Sequence, residues 1–314
     1  MLLSICIPTN GRASVLTQTL NSILAESIDP TLLEVVISDN SGGEDIAELA
    51  NQFYKKGLNV VYHRSDEKGY YNLIIALVKA RGCFLKLHND YSEFIPGSLT
   101  SLIQYIKENR NSKPQTLFSN GNLRSGDCKL LLKFDHFISQ SSYWNTWSSA
   151  FSIWRSDLEL LDTSKASLDD NFPHVSLLFA NKSKASYCVD DRIYFINQPV
   201  VGKGGYNIFK LFCVDYVYML RELIDAGAIT EKTYKRILSN LRDKFIPQWL
   251  QASVYTKNGL TFNNDDYISN IKLNFSGRDF LIIKIRAYVY VIIWYVKKFV
   301  KKYIVMCMRK YKNK

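Results

Sequence analysis

Polar residues follow three of the short apolar runs in the first ninety residues. They are Thr9, Asn10 and Arg12 after the first run, Asp39 after the second, and His88, Asn89 and Asp90 after the fourth. In an open parallel sheet, ligands bind beyond the carboxyl ends of the strands, because the ends of neighbouring strands meet there. The sequence therefore predicts one ligand-binding rim built from three strand ends.

Each of these residues also has a purely structural interpretation when it is taken alone. Asp39 and Asp90 can cap the helices that follow them, since Asp is a favoured N-cap residue. His88 can be a core histidine whose ring is satisfied at a strand end. The placement of all three on one predicted rim favours the functional interpretation.

The elements that must position this rim have the pattern of βαβ units. Mostly apolar runs cover residues 2–7, 33–37, 58–62 and 83–87, and amphipathic segments separate them. Such runs are typical of parallel strands that are covered by helices on both faces. We therefore expect an α/β fold with an open sheet.

From about residue 115 the apolar runs are shorter, which predicts the antiparallel or mixed half of the sheet. We expect strands over 115–119, 129–134 and 148–154, and a helix over 172–180. Residues 185–189 and 193–197 are expected to pair as a hairpin, and helices are expected over 206–224 and 230–250.

The charge of the chain is concentrated at its C-terminal end. The 314 residues carry 40 Lys and Arg against 29 Asp and Glu, a formal charge of +11. Residues 281–314 hold ten of the basic groups and no acidic group, which leaves residues 1–280 with 30 basic and 29 acidic groups. A near-neutral body argues against a basic domain that wraps around nucleic acid, so we expect no nucleic-acid partner.

The basic segment has the pattern of an amphipathic helix. Apolar residues recur at helical spacing at Val296, Phe299, Val300, Tyr303, Ile304 and Cys307. Lys297, Lys298, Lys301 and Lys302 fall on the opposite face. The uncharged run 287–296 is too short to cross a bilayer, which needs about 20 residues. We expect this helix to lie in an anionic membrane surface; the alternative is a helix that packs on the body of the protein.

The compartment is expected to be reducing. The six cysteines are scattered without a C-x-x-C pair, and the N-terminal residues lack the basic and apolar regions of an export signal. We therefore expect a peripheral protein on the cytoplasmic face of the inner membrane.

Four segments, in order, resemble the landmarks of family 2 glycosyltransferases with the GT-A fold, a Rossmann-like open mixed sheet. They are S-I-C-I-P-T-N-G-R at 4–12, E-V-V-I-S-D-N-S-G-G-E-D at 34–45, G-Y-Y-N-L-I-I-A-L-V-K-A-R-G at 69–82, and F-L-K-L-H-N-D-Y at 84–91. Residues 171–174, followed by an apolar helix, resemble the acceptor half of O-antigen and capsule members. We expect a catalytic domain over 1–205, a helical extension over 206–278 and a membrane-association segment over 279–314.

The resemblance implies roles for the rim residues. Thr9, Asn10 and Arg12 would border the nucleotide, and Asp39 would receive its base through hydrogen bonds, with Asn72 and Asn89 as further donor-binding residues. His88-Asn89-Asp90 falls at the D-x-D position, where two carboxylates usually serve a divalent cation. His88 and Asp90 would then hold Mn²⁺ or Mg²⁺, and Mn²⁺ tolerates imidazole better. Independence from metal is the alternative, because this triplet has one carboxylate fewer.

An inverting transfer needs a general base opposite the leaving diphosphate. The family draws this base from an E-D pair at the start of a helix, and this sequence lacks the pair in its usual form. When the apolar helix at 175–179 is aligned with that helix of the family, His174 falls at the position of the base. Asp170 lies on the loop upstream and is the competing candidate, with His174 favoured slightly.

Together these inferences predict an inverting glycosyltransferase that uses a UDP- or dTDP-sugar. The acceptor would be a saccharide, with a polyprenyl-linked oligosaccharide of surface polysaccharide synthesis favoured. One alternative is a sugar nucleotidyltransferase, although the loop at 8–12 has a single Gly. The other is a catalytically degenerate, membrane-tethered protein that binds saccharides.

Overall fold

The structure is a computed structural model that describes residues 1–200, 202 and 204–312. The chain divides into two compact units. The first comprises Met1–Pro199 and Ala228–Thr233, and the second comprises Val200–Gly227 and Tyr234–Lys314. The domain bounds expected from the sequence remain a prediction.

The first unit alternates strands and helices along its N-terminal half, as the sequence predicts. The elements are β1 (Leu3–Thr9), α1 (Ala13–Ala25), β2 (Leu33–Asp39), α2 (Asp45–Lys55), β3 (Val60–Arg64), α3 (Asn72–Val78), β4 (Phe84–Leu87), β5 (Ser92–Phe94) and α4 (Ser98–Asn109). The later elements are β6 (Gln115–Phe118), β7 (Cys128–Leu131), α5 (Phe134–Ser141), β8 (Ser152–Trp154), α6 (Arg155–Leu158), α7 (Pro173–Ala180), β9 (Tyr187–Asp190) and β10 (Phe195–Asn197).

The central sheet has five strands in the order β3-β2-β1-β4-β8. The first four run parallel, and β8 pairs antiparallel with β4. Every residue of β2 and β4 is buried, which explains why these strands are almost continuously apolar in sequence. This mixed α/β sheet with flanking helices confirms the predicted fold class.

The predicted hairpin of residues 185–189 and 193–197 is wrong. β9 pairs with β6 and β7, whereas β10 pairs with β5 in a separate ribbon. The Asp191 carboxylate accepts hydrogen bonds from the backbone N–H groups of Leu123, Ser125 and Gly126. The Asn120 side chain accepts from the N–H groups of residues 194 and 195. These contacts hold the loop at 119–126 against the residues that follow β9. The chain therefore leaves this sheet after β9, and β10 pairs with β5 instead.

The described part of the second unit is helical. Its helices are α8 (Ile208–Lys210), α9 (Tyr216–Asp225), α10 (Glu231–Asn240), α11 (Ile246–Trp249), α12 (Tyr267–Asn274) and α13 (Arg278–Lys312), and the first three residues of α10 belong to the first unit. Segments of π-helix at Leu211–Asp215, Leu241–Phe245 and Leu250–Tyr255 continue α8, α10 and α11. The predicted helices over 206–224 and 230–250 are therefore present.

α13 packs one face on its own unit and exposes an apolar stripe on the other. Ile283 and Ala287 are fully buried. The exposed apolar side chains on the opposite side are Leu281, Ile285, Tyr288, Ile292 and Phe299. Among the described residues, no helix combines the length and apolarity that a membrane crossing requires. Tyr303 and Cys307, which the sequence assigns to the apolar face, lie outside the described side chains.

A lysine lies in the core beneath the rim. The Lys86 side chain on β4 is fully buried, and its Nζ donates to the carbonyl oxygens of Leu87 and Ser149 at 3.2 and 2.6 Å. Burial lowers the pKa of Lys86 to about 7, despite the nearby Asp190 charge, which acts in the opposite direction. A neutral amine carries two N–H donors, and this site supplies two acceptors.

We predict that the free energy of unfolding rises between pH 7 and 10 because of Lys86. In this pH window the Lys86 amine carries a proton in the unfolded chain and is neutral in the folded chain. The contribution has a slope of up to about 1.4 kcal/mol per pH unit, and below pH 7 the cost of burying the charged amine is fully present. Urea denaturation of Lys86→Met against wild type should lack this slope. Lys79→Met changes an exposed lysine and should keep it; equal slopes in all three proteins would contradict the prediction.

Candidate functional site

The ends of β1 and β4 are joined through one buried carboxylate. Asp90 Oδ2 accepts hydrogen bonds from Thr9 Oγ1 at 2.7 Å and from Arg12 Nε at 3.0 Å. The second guanidinium contact, from Arg12 to Asp90 Oδ1, is 2.8 Å long. Burial raises the pKa of Asp90, while Arg12 and Thr9 oppose that rise. Arg12 remains 40% exposed, so its charge also reaches the solvent side of the rim.

Gly11 lets the loop after β1 turn tightly enough to place Arg12. It has φ +80°, a left-handed conformation that L side chains rarely adopt. A Cβ at this position would lie 2.8 Å from the Cβ of Ser41, in the loop after β2. The two loops are therefore in contact, and Asn10 lies exposed between Thr9 and this turn.

Asp39 ends β2 with a buried carboxylate held from two sides. Tyr62 donates its hydroxyl to Asp39 Oδ2 at 3.2 Å, and the backbone N–H of Ser41 donates to Oδ1 at 3.0 Å. The N–H of Asn40 donates to the carbonyl of Thr9 at 3.1 Å, which ties this loop to the end of β1. The predicted rim residues of the first two strands thus lie side by side.

Asn72 positions the second loop from beneath. Its amide donates to the Ser38 carbonyl at 2.9 Å and accepts the Ser38 hydroxyl at 2.7 Å. The side chain is buried at the start of α3. The structure therefore gives Asn72 a role in holding the strand end that carries Asp39, and its contact with a nucleotide remains a prediction.

His88 is packed among aromatic rings. Its ring stacks on Phe94 with centroids 4.3 Å apart and meets the Phe195 ring edge-on at 5.0 Å. Nε2 donates to the carbonyl of Ser92 at 2.8 Å, since a carbonyl can only accept. Burial, followed by the Lys86 charge, lowers the pKa of His88 to about 3. His88 is therefore buried in the core, but its ring is only partly satisfied, because no described residue forms a hydrogen bond with its Nδ1.

Asn89 is fixed by the segment before β8. Its backbone N–H donates to Ser149 Oγ at 2.9 Å, and its side-chain oxygen accepts the Ser148 hydroxyl at 3.2 Å. Its amide nitrogen donates to the Tyr91 hydroxyl at 3.0 Å. These contacts orient the triplet at 88–90. They also pair the polar groups of Asn89 with other groups of the protein.

The predicted cation ligands do not form a site that fits a divalent ion. Arg12 and Thr9 contact both oxygens of Asp90, and the His88 ring is enclosed by aromatic side chains. Within the described ranges, no group of three or more His, Cys, Asp or Glu residues is placed to hold a metal ion. The positive charge beside Asp90 is supplied by a guanidinium.

A cavity of about 420 Å³ opens in the first unit at the segments 68–71 and 165–171. Lys68, Tyr70, Tyr71, Lys165 and Asp170 are among its lining residues. Lys165 forms an ion pair with Glu67 at 2.9 Å, and the Tyr71 hydroxyl donates to the Thr163 carbonyl at 2.8 Å. These two contacts join the walls of the cavity. Lys68, Tyr70 and Lys165 do not follow a predicted strand end, so the strand pattern does not identify them, although the polar and aromatic run at 67–71 marks this region.

The two candidate bases have different surroundings. Asp170 is exposed at the cavity, while Asp169 next to it accepts from the backbone N–H groups of Asn171 and Phe172. His174, in the first turn of α7, is 2% exposed, and its Nε2 donates to the Thr146 carbonyl at 3.0 Å. Burial lowers the pKa of His174 to about 4. A general base must reach a substrate proton, so exposure favours Asp170 over His174, the residue that the sequence favours.

Comparisons with known proteins identify a matching family model and similar folds. Residues 4–144 match the model of glycosyl transferase family 2. Crystal structures of S. aureus TarS 1–349 superpose on the chain with a TM-score of 0.56 at 15% identity, and with 0.57 at 16% for the complex with UDP-GlcNAc. Each TarS comparison covers 93% of this chain and 89% of that chain.

A third similar structure is the mannosyltransferase PcManGT from Pyrobaculum calidifontis in complex with GDP-Man and Mn²⁺. Its TM-score is 0.50 at 12% identity, over 91% of this chain and 86% of that chain. At these identities the similarity establishes a shared GT-A fold. No curated protein matches the chain.

Proposed function

Residues 4–144 form a glycosyl transferase family 2 domain, and on that premise we propose that this glycosyltransferase works by an inverting route. The donor is a nucleotide sugar with a UDP or dTDP head, and the acceptor is a saccharide. The observation that carries the proposal is the meeting of three strand ends in one hydrogen-bonded rim, with Asp39, Thr9, Arg12 and Asp90 as its polar groups.

The rim supplies the groups that a nucleotide diphosphate needs. Asp39 is the acceptor that we propose for the ring N–H of a pyrimidine. Its carboxylate is buried, and the base would take the place of the Tyr62 hydroxyl at Oδ2 while the Ser41 N–H holds Oδ1. Arg12 offers a guanidinium to the diphosphate, since such a fork forms charge-assisted hydrogen bonds with phosphate oxygens. Thr9 and Asn10 flank this position, with Asn10 exposed.

Asp170 is the base that the geometry supports best. Its carboxylate is exposed at a cavity that is large enough for sugar-sized ligands. In the proposed step Asp170 accepts the proton of the acceptor hydroxyl while that oxygen bonds to the anomeric carbon. The bond from this carbon to the diphosphate oxygen breaks, and the nucleoside diphosphate leaves with its electron pair.

Whether a divalent cation takes part depends on the side chains that are available to bind it. The mannosyltransferase with a similar fold is in complex with Mn²⁺. In this chain Arg12 instead lies against the one carboxylate of the triplet. We therefore assign the charge compensation of the leaving diphosphate to Arg12 and route no step through a metal ion.

The acceptor is proposed to be lipid-linked, because α13 carries a surface suited to an anionic membrane. The exposed stripe from Leu281 to Phe299 lies opposite the face packed on the second unit. Lys297, Lys298 and Lys301 are exposed on the other side of the helix. Each lysine near an anionic surface contributes about 1 kcal/mol of attraction. A polyprenyl-linked oligosaccharide at the cytoplasmic face of the inner membrane would meet the enzyme there.

We predict that Asp170→Asn abolishes transfer and retains donor binding. Purified enzyme, a panel of nucleotide sugars and membrane extract should release nucleoside diphosphate, and the variant should do so at least about 100-fold more slowly. Thermal shift with the same panel should be unchanged, since Asp170 lies outside the rim.

Asp162→Asn is the matched control, because it changes another exposed acid of the same region. Loss of transfer in His174→Gln with full activity in Asp170→Asn would assign the base to His174. Donor binding without nucleotide release in any extract would indicate a binding protein. Release of pyrophosphate from a nucleoside triphosphate and a sugar phosphate would indicate a nucleotidyltransferase.

We predict that transfer persists in a chelator. With EDTA in excess, the rate should fall less than about twofold, since a guanidinium can supply the charge that a cation supplies elsewhere. Arg12→Gln should lower the rate at least about tenfold in the same assay. Complete loss of activity in EDTA, with recovery on adding Mn²⁺, would contradict this assignment.

We predict that Lys297, Lys298 and Lys301 each add to the attraction to anionic membrane. Replacing Lys297, Lys298 and Lys301 by Gln should weaken binding to phosphatidylglycerol vesicles about 100-fold in a sedimentation assay. Ile292→Gln with Phe299→Gln should also weaken it, because these side chains are exposed in the apolar stripe.

Point variants test the membrane role better than deletion of residues 281–314 does. The deletion would also remove Ile283 and Ala287, which are buried in the second unit. Leu160→Gln is the matched control, because Leu160 is an exposed apolar residue of the first unit. Unchanged vesicle binding in both α13 variants would refute the membrane role.

A further inference from the structure

Two cysteine side chains meet on the three-stranded sheet, in a part of the first unit that the proposed transfer does not use. Cys128 is the first residue of β7 and Cys188 lies in β9, and their sulfur atoms are 2.9 Å apart. The register places Cys128 opposite Asp190 and Leu130 opposite Cys188, so the two cysteines are diagonal neighbours on one face of the sheet. The contact joins positions that are 60 residues apart in the chain.

The two thiols have unequal surroundings. Cys128 is exposed, whereas Cys188 is 2% exposed. The hydrogen bond between the two thiols lowers the pKa of Cys128; its partial burial and the Asp190 charge oppose this, and the Arg192 charge lowers the pKa. The same hydrogen bond, together with burial, raises the pKa of Cys188. An exposed cysteine of lowered pKa next to a buried one is the arrangement of an attacking and a resolving cysteine.

The other described cysteines lack this combination. Cys6 and Cys213 are fully buried, and burial raises the pKa of both thiols. Cys83 is partly exposed at the start of β4. Among the cysteines that the structure describes, the pair on β7 and β9 is therefore the one placed for oxidation.

We propose that Cys128 and Cys188 form a redox modification site, a dithiol that a peroxide converts into a disulfide bond between β7 and β9. A disulfide needs a sulfur separation of about 2.05 Å, which is a small movement from the separation seen here. In a reducing compartment the dithiol is the resting form, and the disulfide forms when peroxide is present.

The reaction proceeds in two steps that consume one peroxide. The Cys128 thiolate attacks one peroxide oxygen, so that an S–O bond forms, the O–O bond breaks and hydroxide leaves to become water. The Cys188 thiol then loses its proton, and its sulfur attacks the Cys128 sulfur. The S–S bond forms as the S–O bond breaks, and the second oxygen leaves as water. Two thiols are oxidised by two electrons, and a dithiol reductant reverses the change.

The crosslink would restrain the sheet next to a buried charge. Asp190, opposite Cys128, accepts hydrogen bonds from the Arg192 guanidinium and from the Tyr194 hydroxyl at the end of β9. Closing a long loop removes freedom from the unfolded chain, so oxidation should stabilise the first unit. The melting temperature should rise by about 5 °C or more on oxidation.

The test uses the full-length reduced protein and hydrogen peroxide. Non-reducing peptide mass spectrometry should find one species in which the peptides of Cys128 and Cys188 are joined with the loss of two hydrogens. Dithiothreitol should restore both thiols and the original melting temperature. Cys83→Ser is the matched control and should form the same linkage.

Single variants separate the two roles. Cys188→Ser should trap a sulfenic acid at Cys128 that dimedone labels at least about tenfold more than in wild type, because nothing resolves it. Cys128→Ser should leave Cys188 reduced. The proposal is overturned if the wild-type protein forms no Cys128–Cys188 linkage under peroxide, or if dimedone labels Cys128 equally with and without Cys188. Both results are independent of whether the protein transfers sugar.

Discussion

The parallel register of β1 with its two neighbours is the constraint on which the donor half of the proposed site depends. Thr9 pairs with Asp39 across β1 and β2, and Cys6 pairs with Leu87 across β1 and β4. The loops after all three strands therefore start at one edge of the sheet. A slip of one residue would turn each side chain of a strand to the opposite face of the sheet, and Glu34 would lose Ser4 and Arg81 as partners. The register is therefore fixed, and the polar strand ends stay next to each other. Asp90 then bonds to the end of β1.

Buried charges in this sheet are held by partners from neighbouring segments. Glu34 in β2 is fully buried, and it accepts hydrogen bonds from the Ser4 hydroxyl and from the backbone and side chain of Arg81. Burial acts to raise the pKa of Glu34, but these hydrogen bonds and the Arg81 charge outweigh it, so the pKa is lowered. An unpaired carboxylate here would be costly, and the pairing fixes the chain that leads from α3 into β4. Arg81 thus has a structural role in the sheet below the rim.

The two halves of the proposed site are built differently. The donor half rests on strand ends, where the sheet fixes Asp39 and Thr9 and hydrogen bonds hold the loops between them. The acceptor half rests on loops, where an ion pair from Lys165 to Glu67 and a hydrogen bond from Tyr71 join the walls of the cavity. Rigid strand ends suit recognition of a common nucleotide, whereas loop walls can vary with the acceptor.

The sequence alone determined the parallel half of the fold and the identity of the rim, because buried strands are apolar along their length and polar residues mark where they end. Which partner each of these groups contacts depends on the tertiary packing. The strand pattern cannot show that Arg12 reaches the carboxylate of Asp90, or that aromatic rings enclose His88, because both depend on contacts between segments distant in the chain. The same reason applies to the wrong hairpin at 185–197 and to the burial of His174 beside an exposed Asp170. The local sequence pattern determines which face of a helix or strand is apolar. Long-range packing determines which polar groups form contacts with each other.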